Sequence, residues 1–123
     1  MTERLPGRLG IEQERAMSID HLNFWKRRAE RRFEQGQYVE ALAAYERAIQ
    51  FDPYRAEFFE GKGDTLFQLK RYDEALAAAD AALKLAPNDP DNWQRKAEAL
   101  RKLRRGRDTR TAEAQVERLR GGV

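Results

Sequence analysis

The sequence predicts an all-α fold: a short array of stacked helical hairpins, about two and a half to three units long including a C-terminal capping helix. Three observations carry this. The stretch Tyr38–Pro53, shifted by 34 residues, falls on Tyr72–Pro87 with 8 of 16 positions identical. Both copies end at a proline, which lacks the amide hydrogen a continuing helix needs. The composition is 41% hydrophobic and 37% charged, rich in Ala, Leu, Glu and Arg, which favours helix over sheet. A single hairpin cannot bury its apolar face alone, so repeated hairpins stack and share one core.

The elements follow in chain order. Residues 1–10 contain Pro6, Gly7 and Gly10 and show no helical period. Together with 11–19, they are expected to form a partly mobile arm containing at most a short helix or an extended lead-in. The domain proper covers 20–120. Asp20 is a candidate N-cap for a helix from about His21 to Gln35, with Leu22, Trp25, Ala29 and Phe33 on one face. Gly36 ends that helix by supplying a permissive backbone. A second helix spans about Tyr38 to Phe51, with Ala41, Leu42, Tyr45, Ala48 and Ile49 as its buried stripe. These helices form unit one, residues 22–55.

Unit two, 56–89, repeats the plan with helices of about Ala56 to Leu69 and Tyr72 to Leu85. Gly61 and Gly63 lie inside the first, each costing about 1 kcal/mol relative to alanine. Gly63 aligns with Ala29 and Ala97, which suggests close helix approach; Gly61 aligns with Arg27 and Arg95, which suggests a gap on an exposed inner face. Unit three, 90–119, opens with Asp89 as a cap and Pro90 at the first helical position. It then decays: Gly106 falls where Tyr38 and Tyr72 should recur. A capping helix is expected from about Thr109 to Leu119, capped by Asp108 after a slightly longer turn, with residues 121–123 frayed.

Composition excludes several chemistries. With no cysteine there is no disulfide, thiolate catalysis or cysteine-bound metal, and the lone His21 excludes multi-histidine sites. No phosphate loop follows a strand, and no HExxH is present. The chain is therefore expected to be non-enzymatic, without cofactor or metal. No stretch reaches the roughly 18 apolar residues that span a bilayer, and no signal peptide is visible, so a soluble, cytoplasmic protein is the default. Net charge is only +3, but basic residues crowd 26–32 and 101–110 while acids prevail between Gln37 and Asn92.

The pattern resembles the tetratricopeptide repeat family across roughly residues 20–120. Unit one supplies Trp25, Ala29, Gly36, Tyr38, Ala41, Tyr45, Ala48 and Pro53. Unit two supplies Phe59, Gly63, Tyr72, Ala75, Ala79, Ala82 and Pro87, with Lys70 in place of the glycine before the second helix. Unit three supplies Trp93, Ala97 and Leu100. Arg28, Arg32 and Lys62 depart from the pattern, which implies a wetter outer edge or one covered by the N-terminal segment.

The resemblance implies a right-handed superhelix acting as a protein-interaction module, scaffold or adaptor. It would bind a peptide or partner helix in the concave groove of the first helix of each hairpin. Its groove positions here are Asn23, Lys26, Arg27, Glu30, Phe33 and Glu34; Glu57, Glu60, Gly61, Asp64, Phe67 and Gln68; and Asp91, Gln94, Arg95, Glu98, Arg101 and Lys102. Phe33 and Phe67 would anchor the groove or pack on the second helices. One branch of the family clamps carboxylate tails with Lys, Asn, Asn, Lys and Arg. Only Lys26 and Arg95 match it, while Glu30, Gly61 and Asp91 replace the rest, so that specificity is not expected. A second reading is polyanion association through Lys102, Arg104, Arg105, Arg107 and Arg110. These lack interleaved aromatic residues for stacking, so nucleic acid is not the expected partner. So short an array also invites homodimerisation or docking on a larger assembly.

Overall fold

The computed structural model describes residues 8–121. Six helices follow one another: α1 (Arg8–Glu34), α2 (Tyr38–Phe51), α3 (Ala56–Gln68), α4 (Tyr72–Leu85), α5 (Pro90–Lys102) and α6 (Gly106–Leu119). No strand occurs among the described residues. Each helix packs on the next as a hairpin, and α1, α3 and α5 also touch in succession along one side.

The backbone repeats more faithfully than the sequence. Helices α2, α4 and α6 start at 38, 72 and 106, so the 34-residue period continues through unit three. The turn inside each hairpin explains this. Gly36, Lys70 and Arg104, again 34 apart, all adopt left-handed backbone with φ of 74°, 61° and 60°. In each turn the next amide donates back to the carbonyl five residues earlier: Gln37 to Arg32 at 2.8 Å, Arg71 to Leu66 at 2.9 Å, Arg105 to Leu100 at 3.0 Å. An inner bond accompanies each, such as Lys70 N–H to Phe67 carbonyl at 3.0 Å. This is the Schellman closure, which satisfies the last carbonyls of the first helix.

Only the first of these turns has glycine. A left-handed conformation costs an L-residue about 1–2 kcal/mol, part of which glycine returns through its freer unfolded chain. Lys70→Gly is therefore expected to raise stability by about 0.5–1 kcal/mol, read as a higher urea midpoint at unchanged slope.

Two boundaries differ from those expected. α1 begins at Arg8 rather than at His21, so Asp20 lies inside a helix and caps nothing. The lead-in over 8–19 is helix continuous with α1, running on from it rather than folding back over Arg28 and Arg32; residues 1–7 of the expected arm lie outside the described residues. α6 begins at Gly106 with Arg105 as its N-cap position, and the turn is no longer than the others. Asp108 sits in the first turn, where its carboxylate accepts from the Arg105 guanidinium at 2.7 Å. Of the frayed tail, residues 122–123 lie outside the described residues. The Asp89 cap and Pro90 are as expected, with the Asp89 carboxylate accepting from the Asp91 amide at 2.9 Å.

The core runs through the hairpins as four linked clusters. Leu22, Ala48 and Phe58 join units one and two. Ala29, Ala44 and Tyr45 pack inside unit one. Leu42, Leu66, Ala75, Ala78 and Ala99 thread all three units, and Ala97, Leu100 and Ala112 close the end. Alanine dominates because it lets helices approach closely at no loss of rotamer freedom. Where Thr109 takes the place of Ala41 and Ala75, its hydroxyl donates to the Arg105 carbonyl at 2.8 Å, so the buried polar atom is satisfied.

Candidate functional site

The side of the array formed by α1, α3 and α5 carries a cavity of about 300 Å³. Phe33 and Phe67 line it together with Gly63, Asp64, Gln68, Ala75, Arg95 and Glu98. Both phenylalanines are half-buried, and each also stacks edge-on against the first residue of the following helix. Phe33 meets Tyr38 at 5.4 Å and 67°, Phe67 meets Tyr72 at 5.3 Å and 68°. Both rings thus pack on the second helix of their hairpin, and both also line the cavity. In unit three the pair is gone, since Arg101 and Gly106 occupy those positions, and Arg101 instead pairs with Glu113.

Six further groove candidates are engaged with one another in pairs: Arg95 with Asp64, Lys26 with Glu57, and Gln94 with Glu98. The Arg95 guanidinium spans Asp64, with Nε 2.9 Å from Oδ1 and Nη2 3.4 Å from Oδ2, and Nη1 donates to Asn92 Oδ1 at 3.1 Å. Burial pulls Arg95 downward. The Asp64 bond, together with the charges of Asp64, Glu60 and Asp91, outweighs this and holds it above its ordinary value. Asn92 is fully buried and its Nδ2 has no partner, at the position Phe58 fills in unit two. Lys26 reaches Glu57 at 3.6 Å, and Gln94 donates to Glu98 at 3.3 Å.

Tyr45 lies in the core, as its place in the buried stripe predicts, and packs directly against the groove position Gly61. It is 8% exposed, and a Cβ placed on Gly61 would lie 2.3 Å from its ring carbons. Gly61 is therefore not a gap on an exposed face; the Tyr45 ring fills it. Gly63, by contrast, would accept a Cβ at ordinary contact, 3.4 Å from Ala78 Cβ. The sequence does hold the clue. Tyr45 and Gly61 are 16 apart, and the equivalent positions one unit on, Ala79 and Arg95, exchange large-then-small for small-then-large.

Burial, and then the carboxylates Glu30, Asp64, Glu57 and Glu34, push the Tyr45 phenol up to about 12 from 10.0. A folded-state value above the unfolded one favours the neutral, folded form below pH 10 and loses that advantage as pH rises towards 12. Stability is expected to fall by about 2 kcal/mol over this window through Tyr45 alone. The check is alkaline unfolding of the wild type against Tyr45→Phe, whose curve should lack this component.

Asn23 and Arg27 do not line this cavity, nor do Lys26, Glu30 and Glu60. With Asp20, Phe24, Arg28 and Arg31, Asn23 and Arg27 line a separate cleft on α1, beside a Phe24 ring that is 54% exposed. The basic stretch spans the turn between α5 and α6. Lys102 ends α5, Arg104 forms the turn, Arg105 is bound by Asp108, and Arg107 and Arg110 lie on the first turns of α6. Among the described residues no group of three His, Cys, Asp or Glu could hold a metal ion, and no helix is long and apolar enough to cross a membrane.

The arrangement offers a seat between two aromatic rings, edged by Asp64, Arg95 and Glu98. Proteins of known structure share the fold. The first TPR of Spaghetti (RPAP3), bound to the HSP90 peptide SRMEEVD, superposes with a TM-score of 0.77 at 22% identity over 81% of this chain and 79% of that one. The Arabidopsis OM64 TPR domain gives 0.78 at 15% identity over 83% and 84%. The TPR2B domain of yeast Sti1, in its pHsp70 complex, gives 0.77 at 19% over 80% and 79%. No curated protein matches by sequence. The tetratricopeptide repeat pattern itself matches residues 26–90, more than half of the 123-residue chain. The chain belongs to the tetratricopeptide repeat family.

Proposed function

We propose that this protein is a non-enzymatic interaction module that holds a segment of a partner protein in the groove of α1, α3 and α5. The observation that carries this reading is the pair Phe33 and Phe67, two half-buried rings at equivalent positions facing one cavity. Aromatic side chains in a recess supply most of the binding energy at such surfaces. The HSP90 peptide held by the RPAP3 domain is a precedent for the same architecture used on a peptide.

The test is an affinity capture with the intact protein against Phe33→Ala. Phe33 is the better ring to remove, because Phe67 also packs on the central core cluster. Arg95→Glu is a poor choice, since it would set a second carboxylate against Asp64. A partner retained by the wild type and reduced at least tenfold by a folded Phe33→Ala variant supports the groove; equal retention refutes it. The basic 101–110 stretch is the weaker reading, because Arg101 and Arg105 are already paired with Glu113 and Asp108.

A further inference from the structure

We propose that the groove selects a cationic segment: an extended peptide with an apolar side chain seated between Phe33 and Phe67 and lysine or arginine on either side of it. This rests on the groove reading above and adds the chemistry of the occupant.

The charge around the cavity decides the matter. The cation that lines the cavity, Arg95, is spent on Asp64 at 2.9 Å, and Lys26 of α1 is spent on Glu57 at 3.6 Å. Glu30, Glu60 and Glu98 have no cation within ion-pair distance among the described residues, and Glu98 is shared only with the neutral Gln94. Carboxylates also gather around the buried Tyr45 and around Arg95. Glu30, Asp64 and Glu57 all act on the Tyr45 hydroxyl, and Glu60 and Asp64 act on Arg95. A ligand such as SRMEEVD would bring further carboxylates to this rim, where like charges repel. A ligand with cations flanking an apolar residue would satisfy both the rim and the cavity. Complementary potentials of this kind set which partner is accepted and steer its approach.

Three fluorescein-labelled peptides measured by anisotropy against the full chain test this. One has a central leucine flanked by lysines, one the same leucine flanked by glutamates, and one the lysines around a central glycine. The leucine–lysine peptide is expected to bind at least about tenfold tighter than either of the others. Glu30→Gln with Glu98→Gln should weaken it about tenfold while circular dichroism shows an unchanged melt. Equal or tighter binding of the glutamate peptide overturns the proposal, as does equal binding of the glycine peptide, which would mean charge attraction without the cavity. Phe33→Ala separates the two levels. If the glutamate peptide binds as tightly as the lysine one and Phe33→Ala weakens both, the groove stands and the cationic preference falls. If it changes none of the three, the groove itself falls.

Discussion

Phe58→Ala is expected to cost about 3–5 kcal/mol, the range for truncating a large aromatic side chain in a well-packed core. Phe58 is 1% exposed and packs between Leu22 of α1 and Ala48 of α2, so it joins unit one to unit two. In a stacked array each unit touches only its neighbours, and a loss at one joint is not shared by the rest. Against a total of about 5–15 kcal/mol for an ordinary domain, such a loss brings the array close to unfolding. Urea denaturation followed by circular dichroism provides the check. A midpoint near that of the wild type would mean that units one and two are held by something other than this ring. Trp25→Ala should cost less, about 2–3 kcal/mol, because its ring is only partly buried and lies partly under Arg47 at 5.3 Å.

The second large effect centres on Gly61. Alanine there places a methyl group 2.3 Å from the Tyr45 ring, and that ring is held by Ala29 and Ala44. Overpacking of this kind costs about 1–3 kcal/mol, and the ring would have to leave its place in the core. The same change should be neutral, or stabilising by up to about 1 kcal/mol, in a Tyr45→Ala background, where only the helix preference for alanine remains. A double-mutant cycle measures the difference. Equal costs in both backgrounds would show that the ring and the glycine are independent. Gly63→Ala is the contrasting case: its methyl group meets only ordinary contacts.

Where local signals agreed, the sequence located the elements to the residue. Helices α2 and α4 were legible because a tyrosine opens each and a proline follows shortly after its end. Where a local signal competed with the backbone of the whole unit, it misled. Asp20 reads as a cap, yet nothing between Ile11 and Ile19 breaks a helix, so α1 runs through it. Gly106 stands where a tyrosine should recur and suggests a longer turn, yet the closure by Arg104 and Arg105 sets the register and places Gly106 at a helix start. The groove was legible as a set of positions but not as a set of contacts. Pairings such as Arg95 with Asp64, 31 residues apart, and Tyr45 against Gly61 depend on how one hairpin leans on the next.

The three turns at 36, 70 and 104 have one further consequence. They close alike although their central residues are glycine, lysine and arginine. The chain therefore has a reading frame at the level of its backbone, in which cutting at one turn and rejoining at the equivalent point of another restores the same junction. Duplicating or deleting a unit disturbs no loop. What limits the length of such a chain is whether the two newly adjoining helix faces fit, and here that question reduces to a few positions such as the one held by Phe58 in one unit and Asn92 in the next.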